Sequence, residues 1–238
     1  MLAGSGPRAR LYGVLMALSP SLKPDDYTLE VLGVSARISL AQRSFAFEAI
    51  RLDEANAALE AHPSERARAE AQRLYAILDR ADPSAEYAES YAFVFPVEGG
   101  RQSAGFLDER RYDLPDGSSI GSVHAGIDWA VPKGTIVRAC ARGRVVLVGD
   151  REVTGTTIVL EHLPGLYSLY FHLSQALVEE GEIVERGQRI ALSGSTGLAT
   201  GPHLHWEVRA AGEAVDPEYW LTSPLLDKTR IPAIISGL

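Results

Sequence analysis

Hydrophobic positions recur at intervals of two over most of this chain, and at helical spacing in one stretch only. Tyr27, Leu29 and Val31 alternate with Thr28 and Glu30, and beyond Gly33 the residues Val34, Ala36, Ile38 and Leu40 alternate with Ser35, Arg37 and Ser39. A period of two puts apolar side chains on one face of a pleated strand. Phe45, Phe47 and Ala49 continue it, and Pro24-Asp25-Asp26 supplies a turn. The short apolar run Leu11 to Leu18 is read as a further strand rather than a signal peptide, because no small-x-small cleavage site follows it before Pro24. Residues 1–52 are thus expected to form a small β module, too small to be very stable alone.

The pattern changes abruptly at residue 53. Residues 53–81 are rich in Ala, Glu, Arg and Leu and lack glycine, and Ala67, Ala71, Leu74, Leu78 and Ala81 form one helical stripe. Pro63 suits a first turn and Asp82-Pro83 a stop. These signals predict helices near 53–61 and 64–81, a structural connector over 53–83 in which His62 faces solvent or caps a helix. From residue 92 to 223 β signals return, with Phe93, Phe95 and Val97 alternating and β-branched residues dense over 136–148 and 156–160. Val131-Pro-Lys-Gly134-Thr-Ile-Val137 echoes Val184-Glu-Arg-Gly187-Gln-Arg-Ile190, which suggests two similar turn-and-strand units. Residues 224–238 are left as a tail. The fold class expected is mainly β.

Composition narrows the function. A formal charge of -8 argues against a nucleic-acid partner, since phosphate binding needs a basic surface or stripe. No stretch approaches the ~18 apolar residues of a membrane span. The single cysteine, Cys140, can form neither an intrachain disulfide nor a Cys-rich metal cage, and it reads as a small buried residue. Any metal must therefore be held by His, Asp or Glu.

Three histidine-bearing segments stand out: His124-Ala-Gly126-Ile-Asp128, Tyr170-Phe-His172-Leu-Ser174 and His203-Leu-His205. Taken singly, each has a structural explanation: surface hydrogen bonding, a core histidine, an exposed pair on one sheet face. Together they provide the three protein ligands that a catalytic zinc site uses, with two imidazoles left for proton transfer and oxyanion charge. Other chemistries fit less well. The glycines of 194–201 are not followed by the Lys-Ser or Lys-Thr of a phosphate loop, Ser195 lacks the Gly-x-Ser-x-Gly setting, and there is no His-Glu-x-x-His helix. His162 is taken as structural.

These segments, with Gly194-Ser-Thr196-Gly197-Leu-Ala-Thr200-Gly201-Pro202-His203-Leu-His205-Trp-Glu207, resemble the lysostaphin/LytM-type metallopeptidases of the M23 family over about residues 92–223. The resemblance implies an antiparallel β catalytic domain of the LytM (duplicated hybrid motif) type. It also implies one zinc per chain held by His124, Asp128 and His205, with His172 and His203 flanking the reacting water in an undecided division of labour. It implies, too, a peptidoglycan peptide substrate and a place in the cell envelope, periplasmic or secreted. The amino-terminal module resembles those attached to some wall peptidases, of immunoglobulin-like type, and is a candidate for positioning the enzyme, binding a protein regulator or shielding the groove. Alternatives are a catalytically silent LytM-like regulator or wall-binding protein, disfavoured because all five positions are filled, and a sugar-phosphotransfer carrier, disfavoured by His-x-Gly-x-Asp. One departure stands out: Leu107 follows Phe106 where many relatives carry glycine, and a reshaped loop at the groove edge is expected.

Overall fold

The computed structural model describes residues 17–19, 21–31, 33–85 and 92–222. The strand expected over 11–18 lies largely outside them, and the tail 224–238 entirely so. The alternating amino-terminal segments form an antiparallel hairpin, β1 (Asp26–Val31) and β2 (Val34–Ser39), turned at Gly33 with φ 80°. Strand β3 (Phe47–Arg51) does not join that hairpin. It pairs in parallel with β5 (Glu109–Asp113) of a separate three-stranded sheet.

Helices α1 (Glu54–Ala61) and α2 (Glu65–Leu78) follow, and each begins where a side chain caps it: Asp53 accepts from Asn56 N and Ser64 from Ala67 N. His62 is the exposed C-cap residue of α1. The predicted stripe is the face of α2 that is used as far as Leu78, where the helix ends three residues earlier than expected; Ala81 lies beyond it and is exposed. Leu74 and Leu78 pack on Leu147, Val159, Tyr167 and Leu169 of the large sheet.

That sheet has ten strands. Its strands are β4 (Arg101–Ala104), β7 (Ile127–Ala130), β8 (Ile136–Arg138), β9 (Gly143–Arg151), β10 (Gly155–Leu163), β11 (Leu166–Ala176), β12 (Ile183–Val184), β13 (Arg189–Ser193), β14 (Leu204–Ala210) and β15 (Glu213–Val215). The smaller sheet adds β5 (Glu109–Asp113) and β6 (Ser119–Val123) to β3, and a short α3 (Tyr219–Thr222) follows β15. In the large sheet every pairing is antiparallel. Phe93 to Val97 alternate as expected, yet they form no strand, because Pro96 cannot donate to a ladder. Their alternation instead buries Phe93 and Val97 in the main core.

The sequence echo has a structural counterpart. Strands β8 and β13, the second halves of the two units, pair with each other. The glycines before them, Gly134 and Gly187, both adopt positive φ, and each amide donates across to the other unit, to Ser193 O and Ala139 O at 2.8 Å in both cases.

His162 is fully buried in a polar chain. Its Nδ1 donates to Arg142 O at 2.9 Å, its Nε2 accepts from Ser168 Oγ at 2.8 Å, and Tyr170 Oη extends the chain to Cys140 N. Burial lowers the His162 pKa to about 4, so the ring is neutral in the folded state. The unfolded chain takes up that proton near pH 6.5. This contribution to stability is therefore complete above about pH 6.5 and is lost as pH falls through 4.

Two outcomes are expected from urea unfolding. Leu78→Ala should cost about 2–5 kcal/mol, because it opens a cavity between α2 and the sheet. His162→Gln should be less stable than the parent at pH 7.5, yet lose less stability between pH 6.5 and 4.

Candidate metal centre

Asp128 on β7 and His205 on β14 are directly opposite each other in the antiparallel register, so their side chains leave the same face of the sheet. His124 lies on the turn before β7, where its amide donates to Asp108 O and its carbonyl accepts from Leu107 N. Gly126 makes this turn fit. A Cβ there would overlap the Trp206 carbonyl oxygen and come within 3.0 Å of His205 Nε2. The glycine between the first two site residues is thus a close-approach position for the strand that carries the third.

The three side chains meet. His124 Nε2 lies 2.9 Å from His205 Nδ1 and 3.1 Å from Asp128 Oδ1, and His205 Nδ1 lies 2.8 Å from the same oxygen. All three residues are buried. The outer nitrogen of each ring has its own acceptor: His124 Nδ1 donates to Gly105 O at 2.8 Å, and His205 Nε2 to Glu207 Oε1 at 3.1 Å. In neutral rings those bonds leave the inner nitrogens as bare lone pairs, facing one another and a carboxylate oxygen across less than a water's width. Such an arrangement needs a shared cation at its centre, and two imidazoles with one carboxylate are a donor set suited to zinc.

The electrostatics show the same strain. Burial would raise the Asp128 carboxyl, but the His124 and His205 rings against it hold it far below the usual carboxylate range. Burial opposes charge on His205, yet the carboxylates of Asp128 and Glu207 raise its pKa to about 9. His124 is lowered, chiefly by burial. A metal ion entering the site would displace the His205 proton.

His172 and His203 border the same centre. Strand β11 pairs with β14 as far as Phe171 and with β13 from Leu173 onward. His172 sits at that change of partner with φ 59°, a left-handed conformation costly for a non-glycine residue and common at functional sites. Its amide is held by Thr154 O and its Nδ1 donates to Thr196 O, both at 2.8 Å. The His203 Nδ1 donates to Gly201 O at 2.8 Å, and its Nε2 is 3.7 Å from Asp128 Oδ1. The two rings are 4.8 Å apart. Burial, with His203 and His205 nearby, lowers the His172 pKa to about 3, which keeps that ring a neutral acceptor at Nε2. All five residues singled out in the sequence are therefore gathered at one place, and His162 and His62 lie apart from it.

Two features were not read from the sequence. Glu207 orients His205 and is itself held by Arg209 Nε at 2.9 Å, an arrangement foreshadowed only by the i, i+2 spacing on one strand. The second is the groove wall opposite His203, to which β3 contributes Glu48 and Ile50 and β5 contributes Arg110 and Tyr112. Leu107 does not remove the turn that glycine would favour. It adopts φ 65° itself, and its side chain packs on the main core. The departure is absorbed as local backbone strain of roughly 1–2 kcal/mol.

Known proteins carry the same elements. The family model "Peptidase family M23" matches residues 122–217. The chain is 39% identical over 142 residues to the peptidoglycan DD-endopeptidase ShyB of Vibrio cholerae, covering 58% of this chain and 32% of that protein. It is 44% identical over 95 residues to the DD-carboxypeptidase/endopeptidase Mpg of Neisseria meningitidis, covering 40% of this chain and 22% of that protein. The chain thus spans a third or less of the length of these two curated relatives. Among solved structures, a peptidase M23 from Pseudomonas aeruginosa described as putative superposes with a TM-score of 0.63 at 28% identity, covering 86% of this chain and 76% of that one. The fold, the donor set and these matches lead to one conclusion: residues 122–217 of this chain are a peptidase family M23 domain.

Proposed function

We propose that the chain is a zinc-dependent endopeptidase that hydrolyses peptide stems or cross-links of bacterial peptidoglycan. The observation that carries this reading is the triangle of lone-pair donors from His124, Asp128 and His205, each ring locked by an outer acceptor, beside two further imidazoles on an open groove. The substrate class is supported by the names of the related enzymes, and the same reading puts the protein in the cell envelope. Among the described residues no helix is long and apolar enough to cross a membrane.

His124, Asp128 and His205 would hold one zinc ion, which when bound supplies Lewis-acid polarisation of water and of the scissile carbonyl. The protein residues do the rest. His172 and His203 both donate through Nδ1 to backbone carbonyls, which leaves Nε2 of each as the free acceptor. One Nε2 takes the proton of the attacking water and passes it to the leaving amine. The other, when it carries a proton taken from solvent through the open groove, donates a hydrogen bond to the oxygen on which negative charge develops and keeps that proton through the cycle. The buried floor of the site strengthens both interactions by excluding water. Glu207 keeps His205 in the tautomer that points its Nδ1 inward.

The test is digestion of purified sacculi of defined chemistry, with products identified by mass spectrometry and zinc measured on the same preparations. His124→Ala and Asp128→Ala should lose zinc and hydrolysis together. Gly126→Ala should also lose zinc, because its Cβ must push the His205 strand away. His172→Ala should retain zinc and lose hydrolysis by roughly 10²–10⁴-fold. Normal wall hydrolysis by His172→Ala would remove its catalytic assignment. Zinc uptake by the parent with no soluble wall fragment released would favour a silent regulator instead.

A further inference from the structure

Asp128 divides its two oxygens between different partners. Oδ1 faces the His124 and His205 nitrogens at 3.1 and 2.8 Å, whereas Oδ2 accepts from Arg110 Nη2 at 2.5 Å. Arg110 belongs to β5, in the three-stranded sheet, and Asp128 to β7, in the ten-stranded one, so this contact bridges the two sheets. Behind Arg110 stands Glu48 of β3. The two are register partners in the parallel ladder, and Glu48 Oε2 is 3.5 Å from Arg110 Nε. A guanidinium suits this place because its planar fork donates to Asp128 through Nη2 while Nε, which makes no hydrogen bond, is turned toward the Glu48 carboxylate as an ion pair.

We infer that Arg110 is a positioning residue for Asp128, holding Oδ2 so that Oδ1 alone is presented to the metal, and that Glu48 of the amino-terminal strand holds Arg110 in turn. The inference rests on the reading of His124, Asp128 and His205 as metal ligands. A carboxylate free to rotate can coordinate through both oxygens and fill two corners of a four-coordinate ion. With Oδ2 engaged, one corner stays open for water. Arg110 is only 12% exposed at its side chain, so its charge needs these two carboxylates, and losing it would leave Asp128 both misaligned and unpaired. The chain Glu48–Arg110–Asp128 also runs from a segment more than seventy residues upstream to the centre of the site, which makes the seating of β3 a determinant of the metal geometry.

The experiment measures zinc affinity by chelator competition, the melting of the metal-free chain, and kcat and KM on a soluble wall peptide. The chains compared are the parent, Arg110→Gln, Arg110→Lys and Glu48→Gln. Arg110→Gln should bind zinc about 10–100-fold more weakly and lose kcat, with KM within about twofold of the parent. Arg110→Lys should recover only part of the affinity, since an ammonium cannot fork between two carboxylates. Glu48→Gln should show a smaller loss in the same direction. A parent-like zinc affinity in Arg110→Gln, with only its melting temperature lowered, would make Arg110 a strut between sheets and overturn the inference. Should Arg110→Gln not fold, unchanged affinity in both Arg110→Lys and Glu48→Gln would overturn it equally. A parent that binds no zinc would instead sink the metal reading itself, and this inference with it.

Discussion

Three electron pairs that repel one another are the constraint on which this structure turns. Two imidazole nitrogens and a carboxylate oxygen sit 2.8–3.1 Å apart in a buried pocket, and no hydrogen-bond pattern among neutral rings satisfies all three. The surroundings could have relaxed this by turning a ring. They do the opposite: Gly105 O fixes His124, Glu207 fixes His205 and Arg110 fixes Asp128. Each anchor is an outward hydrogen bond whose effect is to aim a lone pair inward. A site so arranged stores repulsion that only a cation relieves, whether a proton on His205 or a metal ion.

Holding that geometry demands close backbone approach, and the sheet is built to allow it. Gly126 lets the turn before β7 lie against β14, and Gly194 does the same where a Cβ would meet Ser174 N at 2.5 Å and His172 O at 2.7 Å. Between these tight contacts β11 changes partner, and His172 takes up the discontinuity in a left-handed conformation. The strain has a geometric consequence: a regular strand would alternate His172 against Phe171 and Leu173, whereas the bulge aims its ring at His203. Strain here is compensated by the fully buried strand around it, where Leu169, Tyr170 and Leu173 anchor both sides.

What could be read in the sequence was local or short-range in register. Period-two alternation located β1 and β2, the density of β-branched residues marked the stretches that hold β8, β9 and β10, and the helical stripe located α2 and its buried face, because each depends only on neighbouring residues. Spacing also hinted at part of the site, since i, i+2 spacing puts His203 and His205 on one side and a glycine between His124 and Asp128 signals close approach, whereas His172 and the role of each residue came only from the family resemblance. The outcome for β3 was not legible. Its alternation resembles that of β1 and β2, and nothing in the pattern says that it will cross to a parallel partner some sixty residues further on. Likewise Phe93 to Val97 carry a strand's alternation, but Pro96 makes the segment an apolar strap over the core. Nothing in the pattern singles out Arg110, since its contact with Asp128 joins two separate sheets.

The parallel placement of β3 changes how the groove must be regarded. A β5–β6 hairpin alone would be marginal in water, and β3 makes it a three-stranded sheet whose inner face carries Glu48, Ile50, Arg110 and Tyr112. Leu52 and Ala57 pack with Tyr112 beneath that face, so the start of the helical segment is anchored there too. The wall facing His203 is thus assembled from residues on both sides of the two helices, while the floor comes from β7 and β14. Floor and wall meet through one ion pair, Arg110 with Asp128. The floor carries the donor triad, whereas the wall is shaped in part by a strand contributed from far upstream. Of the two β3 residues that line the groove, Glu48 is the one that also pairs with Arg110, so the wall and the donor triad are joined there.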